Sequence, residues 1–211
     1  MGVFYPPKKI YICTKFLRTL TTDDYLNGWG EILKFSLTES SAFYESIEDE
    51  NEYIPCPNIN SYIYKGLMVK KNIIELDEYE GDLRRILNYG HTFGHALEAY
   101  TANVVPHGKA VIWGIDVINY ISYRVGKLSK EEYFRIKKFI RNVFLTEEII
   151  ISDPKRVIDI IRTDKKVKGN TIYFALLDQI SHLLIYPMDI DEKLEELFYA
   201  YLEETHAFYL N

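Results

Sequence analysis

The segment GHTFGHALEA, residues 90–99, constrains the fold more than any other stretch of this sequence. It places His91 and His95 four positions apart, and a glycine precedes each of them. Residues i and i+4 of an α-helix lie on the same face, so both imidazoles could reach one pocket. Glycines inside a helix cost about 1 kcal/mol each relative to alanine, but they let a second backbone or a ligand come close. The segment therefore predicts a helix that is tightly packed, carries a site, or both.

Helix caps and apolar periodicity predict a mainly α fold. The run KKIYICT predicts a short N-terminal strand, and TIYFALL and HLLIY predict the two strands of a late β-hairpin. The other signals are helical. The predicted helices cover residues 21–38, 60–76, 81–100, 109–124 and 191–209, with two more that begin at the Ser129–Glu132 capping box and at Asp153-Pro154. A linker is predicted at residues 51–58, where prolines follow an acidic stretch.

Charge and cysteine content narrow the class of protein. A net charge of −6 argues against general nucleic-acid binding, although it leaves room for a local basic pocket that binds a small anion. Cys13 and Cys56 are far apart and form no CxxC motif, so no disulfide framework is expected. No apolar run approaches the roughly 20 residues of a membrane span, and the first residues do not resemble a secretion leader. We expect a cytoplasmic protein without a membrane partner.

The histidine pair alone is equally typical of a buried helix with hydrogen-bonded histidines, because HxxxH lacks the glutamate of HExxH. His107 shifts the balance, since it lies in the loop VVPHG just before the next helix and can fold back onto the first. A divalent metal such as zinc accepts imidazole nitrogen and carboxylate oxygen. Glu31 in GWGEILKFSL is the best carboxylate candidate on pattern. Glu98 and the acidic residues at 77–80 are weaker candidates.

Other kinds of site have no support in the sequence. It contains no G-x-S-x-G motif, no Walker loop and no GxGxxG motif, and nothing indicates a Ser-His-Asp hydrolase. His182 and His206 are interpreted as ordinary structural residues.

Several segments together resemble the 3-dehydroquinate synthase family. RRILNYGHTFGHALEA resembles the family signature LNxGHTFGHAxE, and GWGEILKFSL resembles AEVIKxG. MVKKNIIELDEYEGDLRRILN, PHGKAV and IRTDKKVKGNTIYFALL are similar to further family segments, and GVFYPPKKIYICTKFLRTL is similar to the segment that ends the family's NAD-binding domain. The segments occur in the family's order and cover most of the chain.

The resemblance implies a role for each matched residue. Glu31, His91 and His107 would bind the metal, and His95 would instead contact the substrate and handle a proton. The residues that would bind the substrate's phosphate, carboxylate or hydroxyls are Lys34, Lys70, Arg84, Asn88 and Lys165, with Lys165 preferred to Lys166 by register alone. Without the resemblance, each of these lysines would be read as a solvated surface charge.

The resemblance also implies the reaction. The family closes the ring of 3-deoxy-D-arabino-heptulosonate 7-phosphate to give 3-dehydroquinate, with NAD and a divalent metal, zinc or cobalt. Transient oxidation by NAD precedes phosphate elimination, reduction and an intramolecular aldol step. The fold implied is the multi-helical C-terminal domain of the dehydroquinate synthase-like fold, in a homodimer.

The resemblance divides the chain at residue 20. Residues 1–20 would be a remnant of the end of the NAD-binding domain, and residues 21–211 the helical domain that binds metal and substrate. The chain would then be either the C-terminal domain of a longer enzyme or a reduced relative, and we expect little or no turnover from it alone.

Two departures from the family pattern leave alternatives open. Lys109 replaces the glutamate of the family's HGE, and QISHL lacks the glycine usual after the hairpin isoleucine. These departures fit a cyclase of the 2-deoxy-scyllo-inosose or valiolone type. Two further alternatives do not depend on them: a non-catalytic scaffold or dimerisation module and, more distantly, a metal-dependent glycerol or alcohol dehydrogenase.

Overall fold

Eight α-helices and one β-hairpin make up the described part of the computed structural model, which covers residues 8–50, 53–77, 83–164 and 166–210. The helices are α1 (Thr22–Glu39), α2 (Ser41–Glu48), α3 (Ile59–Leu76), α4 (His91–Tyr100), α5 (His107–Arg124), α6 (Lys130–Val143), α7 (Pro154–Arg162) and α8 (Glu192–Leu210). The strands are β1 (Thr171–Gln179) and β2 (His182–Asp189), and 3-10 helices span Thr14–Thr19 and Leu83–Asn88. The prediction of a mainly α fold with a late hairpin is confirmed.

Side-chain caps begin three of the helices where the sequence predicts them. Thr21 accepts a hydrogen bond from the Asp24 amide at 3.1 Å, at the start of α1. Ser129 accepts one from the Glu132 amide at 3.1 Å, which is the Ser129 half of the predicted capping box of α6. At α7, Asp153 is the N-cap and proline occupies the first turn. Each cap satisfies an amide that the helix itself leaves unpaired.

Helix α5 forms the centre of the core. Every residue from Ala110 to Ser122 is buried, and α1, α4, α6, α8 and β1 pack around it. Its buried Asp116 accepts hydrogen bonds from Arg141 of α6 and from Tyr201 of α8, and Arg141 also donates to Thr205. Although α5 is buried over most of its length, no helix in the described ranges is long and apolar enough to cross a membrane.

The hairpin closes one side of the helical core. Its strands pair antiparallel, with Thr171 opposite Asp189 and Leu177 opposite Leu183. Ser181 has a positive φ of 73° in the connecting turn, and its amide donates to the carbonyl of Leu37 in α1 at 2.9 Å. This bond attaches the turn of the hairpin to α1.

The predicted N-terminal strand is wrong. Residues 8–13 form no strand, and a 3-10 helix begins at Thr14. Cys13 does have an extended backbone, but strand formation also needs a pairing partner, and the described residues contain only the two-stranded hairpin sheet. Ile10, Tyr11 and Ile12 are accordingly exposed.

The predicted continuous helix over residues 81–100 is also wrong, because Gly90 interrupts it. Gly90 has a φ of +76° and is the N-cap of α4, while Leu83–Asn88 form a separate 3-10 helix. Asn88 and His91 therefore do not belong to one continuous helix. A side chain at Gly90 would come within 2.9 Å of the Val111 carbonyl oxygen, so the close packing against α5 requires glycine at this break.

The predicted linker does not separate two packed units where it is described, at residues 53–58. Tyr53 makes an edge-on contact with the core residue Trp29, with ring centroids 5.6 Å apart. Cys56 is only 3% exposed. This stretch therefore belongs to the same core as α1.

Candidate metal centre

Three helices bring Glu31, His91 and His107 to one point. Glu31 lies in α1, His91 begins α4, and His107 begins α5. The Glu31 Oε1 atom is 3.2 Å from His91 Nε2 and 3.7 Å from His107 Nε2. The structure thus brings together the three residues that the sequence predicts as metal ligands.

Glycines at the helix crossings allow this convergence. A Cβ on Gly30 would overlap the backbone of Gly108, and one on Gly108 would overlap the carbonyl of Asn27. A Cβ on Gly114 of α5 would likewise overlap the carbonyl of Gly90, the residue directly before His91. Because the backbones touch, α1 and α4 both lie close enough to α5 for the side chains of Glu31, His91 and His107 to meet.

The turn between α4 and α5 folds His107 back towards the first helix. Ala102 and Asn103 both have positive φ, 50° and 62°, and the Asn103 amide donates to the carbonyl of Glu98 at 2.7 Å. This left-handed pair ends α4 and reverses the chain within a few residues. The His107 ring consequently lies 5.6 Å from the His91 ring, centroid to centroid, as the sequence analysis predicts for a histidine that follows the HxxxH helix.

Each of the two predicted histidine ligands has a hydrogen-bond acceptor behind its Nδ1 atom. His91 Nδ1 is 3.1 Å from the carbonyl oxygen of Tyr89, a buried residue whose hydroxyl donates to Asn119 at 2.6 Å. His107 Nδ1 is 3.2 Å from both carboxylate oxygens of Glu98. A proton held on Nδ1 leaves the lone pair on Nε2, and metal-bound histidines usually have such partners.

The donor set fits a divalent cation. Two atoms bound to zinc at 2.0–2.1 Å in a tetrahedron are roughly 3.4 Å apart, close to the distances found here between Glu31 Oε1 and the histidine nitrogens. That carboxylate oxygen is also buried and has no hydrogen-bond partner among the residues described. A buried acceptor of this kind normally has a partner, and a cation between the three donors would supply one.

Burial and neighbouring groups shift the pKa of the Glu31 carboxylate in opposite directions. Burial alone would raise its pKa, but the neighbouring His91 and Lys34 together outweigh burial and lower the pKa to about 2. Lys34 is 4% exposed and donates to Glu31 at 2.7 Å and to the carbonyl of Leu87 at 3.2 Å. The carboxylate is therefore ionised near neutral pH, as a metal ligand must be.

His95 lies beside the three predicted ligands. Its ring centroid is 5.3 Å from that of His91 and 5.9 Å from that of His107. Burial, followed by electrostatic interactions with His91 and Lys166, lowers the pKa of His95. The half-buried Lys166 therefore lies near the pocket, whereas the predicted Lys165 lies outside the described residues.

The other predicted substrate residues are only partly described. Lys70 is exposed on α3, close enough to Lys34 that its positive charge contributes, after burial, to a lowered Lys34 pKa. Asn88 is half-buried and lines a small cavity with Thr92 and Phe174. The side chain of Arg84 lies outside the described part of the structure.

Two remaining histidines have ordinary acidic partners elsewhere. His182 is 2.6 Å from Asp178 in the hairpin, and His206 is 3.1 Å from Glu148. Both side chains are mostly exposed. This placement agrees with their interpretation as structural residues.

The site also includes a contact that the sequence pattern does not predict. On pattern Glu98 is only a weak ligand candidate, yet its carboxylate faces His107. The helical spacing of His91, His95 and Glu98 puts all three on one face, and this is the signal from which the contact could have been found.

Comparison with known proteins identifies the family. The family model for the 3-dehydroquinate synthase C-terminal region matches residues 28–167. The 3-dehydroquinate synthase of Pelagibacter ubique is 33% identical over 208 residues, which are 94% of this chain and 56% of that protein. The Campylobacter curvus enzyme of the same name is 31% identical over 85% of this chain and 52% of its own length. The chain thus spans about half the length of these relatives.

Solved structures show the same fold. The 2-epi-5-epi-valiolone synthase of Streptomyces hygroscopicus, solved with NAD+ and Zn2+ bound, superposes with a TM-score of 0.82 at 19% identity, over 97% of this chain and 58% of that one. A 2-deoxy-scyllo-inosose synthase, complexed with carbaglucose-6-phosphate, NAD+ and Co2+, gives a TM-score of 0.79 at 21% identity, with the same coverage. The family model matches well over half of the sequence, so this chain belongs to the 3-dehydroquinate synthase C-terminal family.

Proposed function

We propose that this chain is the metal- and substrate-binding half of a 3-dehydroquinate synthase. The full reaction would convert 3-deoxy-D-arabino-heptulosonate 7-phosphate into 3-dehydroquinate and inorganic phosphate. The observation that carries the proposal is the meeting of Glu31, His91 and His107 around a buried, unsatisfied carboxylate oxygen. The named relatives, 31–33% identical, support the choice of substrate.

Glu31, His91 and His107 would hold the divalent cation. Bound there, zinc or cobalt would polarise a substrate oxygen as a Lewis acid. The chain's own contribution is to fix these donors, because the His91 and His107 rings are each held at Nδ1 by a hydrogen-bond acceptor.

The cationic residues near the site would bind the anionic substrate. Lys34 donates to Glu31, the charge of the exposed Lys70 acts on Lys34, and Lys166 lies near His95. Arg84, Asn88 and Lys165 keep the substrate-binding roles that the family resemblance implies. Fixed ammonium and guanidinium groups are suited to a substrate with both a phosphate and a carboxylate.

His95 would handle a proton of the substrate at one of its ring nitrogens. Its ring adjoins the metal donors without belonging to the set of Glu31, His91 and His107. A substrate held by the cation would therefore lie within reach of this imidazole.

NAD would supply the transient oxidation and reduction. We propose that residues outside this chain bind most of it, since the sequence has no glycine-rich nucleotide motif and spans about half the length of its relatives. On this account the chain alone should release no phosphate from the substrate, even with NAD and Co2+ present. Steady-state release by the purified chain would contradict this part of the proposal.

Calorimetry tests substrate recognition without turnover. We expect the Co2+-loaded chain to bind 3-deoxy-D-arabino-heptulosonate 7-phosphate more tightly than the metal-free chain does. Glucose 6-phosphate, which lacks the carboxylate, is the control and should bind more weakly. If the two sugar phosphates bind with equal affinity, or if the affinity is the same with and without Co2+, the proposed substrate is wrong.

Assembly and location belong to the same proposal. We propose a homodimer, as the family resemblance implies, and a cytoplasmic location, which the two isolated cysteines favour. Light scattering coupled to size-exclusion chromatography tests the dimer, and a monomer at micromolar concentration would contradict it.

A further inference from the structure

We propose that Glu98 is a positioning residue for the metal ligand His107, an inference that rests on the proposed metal site. The Glu98 carboxylate is on the last turns of α4, and both of its oxygens lie 3.2 Å from His107 Nδ1. The other ring nitrogen, Nε2, faces Glu31. Glu98 thus holds the side of the ring opposite to the metal donors.

The contact selects one tautomer of His107. A neutral imidazole carries one proton and one free lone pair. With the proton on Nδ1 and donated to Glu98, the lone pair is on Nε2, where a cation between Glu31 and His91 would meet it. The backbone after α4 supports this arrangement, since Asn103 bonds the Glu98 carbonyl and reverses the chain.

The two histidines differ in the charge of their acceptors. His91 has a neutral backbone carbonyl behind it, whereas His107 has a carboxylate. Hydrogen bonds to ionised groups are about twice as strong as neutral ones, and a carboxylate acceptor makes the imidazole a stronger donor to metal. His107 also needs more restraint, because its side chain is 45% exposed while that of His91 is 12% exposed.

A competing interpretation makes Glu98 a ligand itself. Glu98, His95 and His107 offer donor atoms close enough for a second cation. That cation would need a free lone pair on His107 Nδ1 at the same time as the first cation occupies Nε2, so the ring would have to lose its proton. The neutral ring cannot serve both cations, and the geometry therefore favours positioning.

Metal affinity separates the two roles. The Co2+ Kd and stoichiometry would be measured by competition with a chromophoric chelator for the wild type, Glu98→Gln and Glu98→Ala. Glu131→Gln, on the exposed first turn of α6, makes the same chemical change at a distant element and is the control. The visible absorption spectrum of bound Co2+ and the thermal unfolding of the metal-free variants would be recorded with them.

We expect one Co2+ per chain in the wild type and in both Glu98 variants. Glu98→Gln should weaken binding about 10–100-fold and alter the Co2+ spectrum, while its metal-free unfolding and the Glu131→Gln affinity remain unchanged. An unchanged Kd in Glu98→Gln, or a loss of affinity that only accompanies a loss of metal-free stability, would overturn the inference. Two equivalents in the wild type and one in the variant would make Glu98 a ligand.

The result also separates this inference from the proposed function. If the wild type binds no Co2+, the metal site itself fails. If the wild type binds Co2+ and Glu98→Gln binds it equally well, only the role of Glu98 fails.

Discussion

Gly30 of α1 and Gly108 of α5 touch backbone to backbone, so that a methyl group on Gly30 would overlap the carbonyl oxygen of Gly108. The neighbours of these glycines in sequence are Glu31 and His107, two of the three predicted ligands. The distance between the ligands therefore depends on the absence of a side chain at this crossing.

Gly30→Ala should damage both the fold and the metal site. Forcing an extra methyl into a packed crossing typically costs about 1–3 kcal/mol of unfolding free energy, and separating the helices would move Glu31 away from His107. Gly28→Ala is the matched control in the same helix, since a Cβ there meets nothing within 4 Å. It should leave stability equal or up to about 1 kcal/mol higher. Urea denaturation measures both variants, and equal midpoints would contradict the packing argument.

Arg141→Met should strongly destabilise the protein. Arg141 and Asp116 are both buried, so the substitution leaves a carboxylate inside the core without its cation. Such a change typically costs about 3–5 kcal/mol. Arg162→Met is the control, because Arg162 pairs on the surface with Asp159 and Glu195 and should contribute about 0–1 kcal/mol. Urea titrations measure the unfolding free energy of both variants. Similar values for the two would contradict this prediction.

Alkaline pH should unfold the protein through its buried and half-buried tyrosines. Burial raises the pKa of Tyr53 to about 12 and raises those of Tyr89, Tyr133 and Tyr201 above their ordinary value of 10. A raised pKa in the folded state gives stability that is complete below pH 10 and is lost as the pH rises further, because the unfolded chain releases those protons first.

Ultraviolet absorbance and circular dichroism together test the role of these tyrosines. Above pH 10, the last part of the tyrosinate absorbance should appear together with loss of the helical signal. Full ionisation of the 18 tyrosines while the helices stay intact would show that burial does not protect these hydroxyls.

Local signals in the sequence predict much of the fold. Thr21, Ser129 and Asp153 mark helix starts because a cap acts only on the turn that follows it. The N-terminal strand and the break at Gly90 could not be predicted in this way. Strand pairing depends on a distant partner, and the packing of α5 against Gly90 joins residues far apart in sequence, so neither is visible in a local pattern.

In the candidate site too, features encoded locally are predicted and contacts between distant segments are not. The helical spacing of His91 and His95 and the loop position of His107 are local, and they predict a shared pocket. The contact between Glu98 and His107 depends on a left-handed turn at Ala102 and Asn103. Neither residue is glycine, so residue propensities do not predict this turn. The approach of Lys166 to His95 joins segments about 70 residues apart, and no local pattern encodes it.

Metal binding by single variants tests the central claim that His91 and His95 have separate roles. The measurement is the number of Co2+ ions bound per chain by the wild type, His91→Ala and His95→Ala, after dialysis against equal free Co2+. One ion in the wild type, none in His91→Ala and one in His95→Ala is the predicted result. A wild type without Co2+, or equal losses in the two histidine variants, would contradict the assignment of Glu31, His91 and His107 as the metal site.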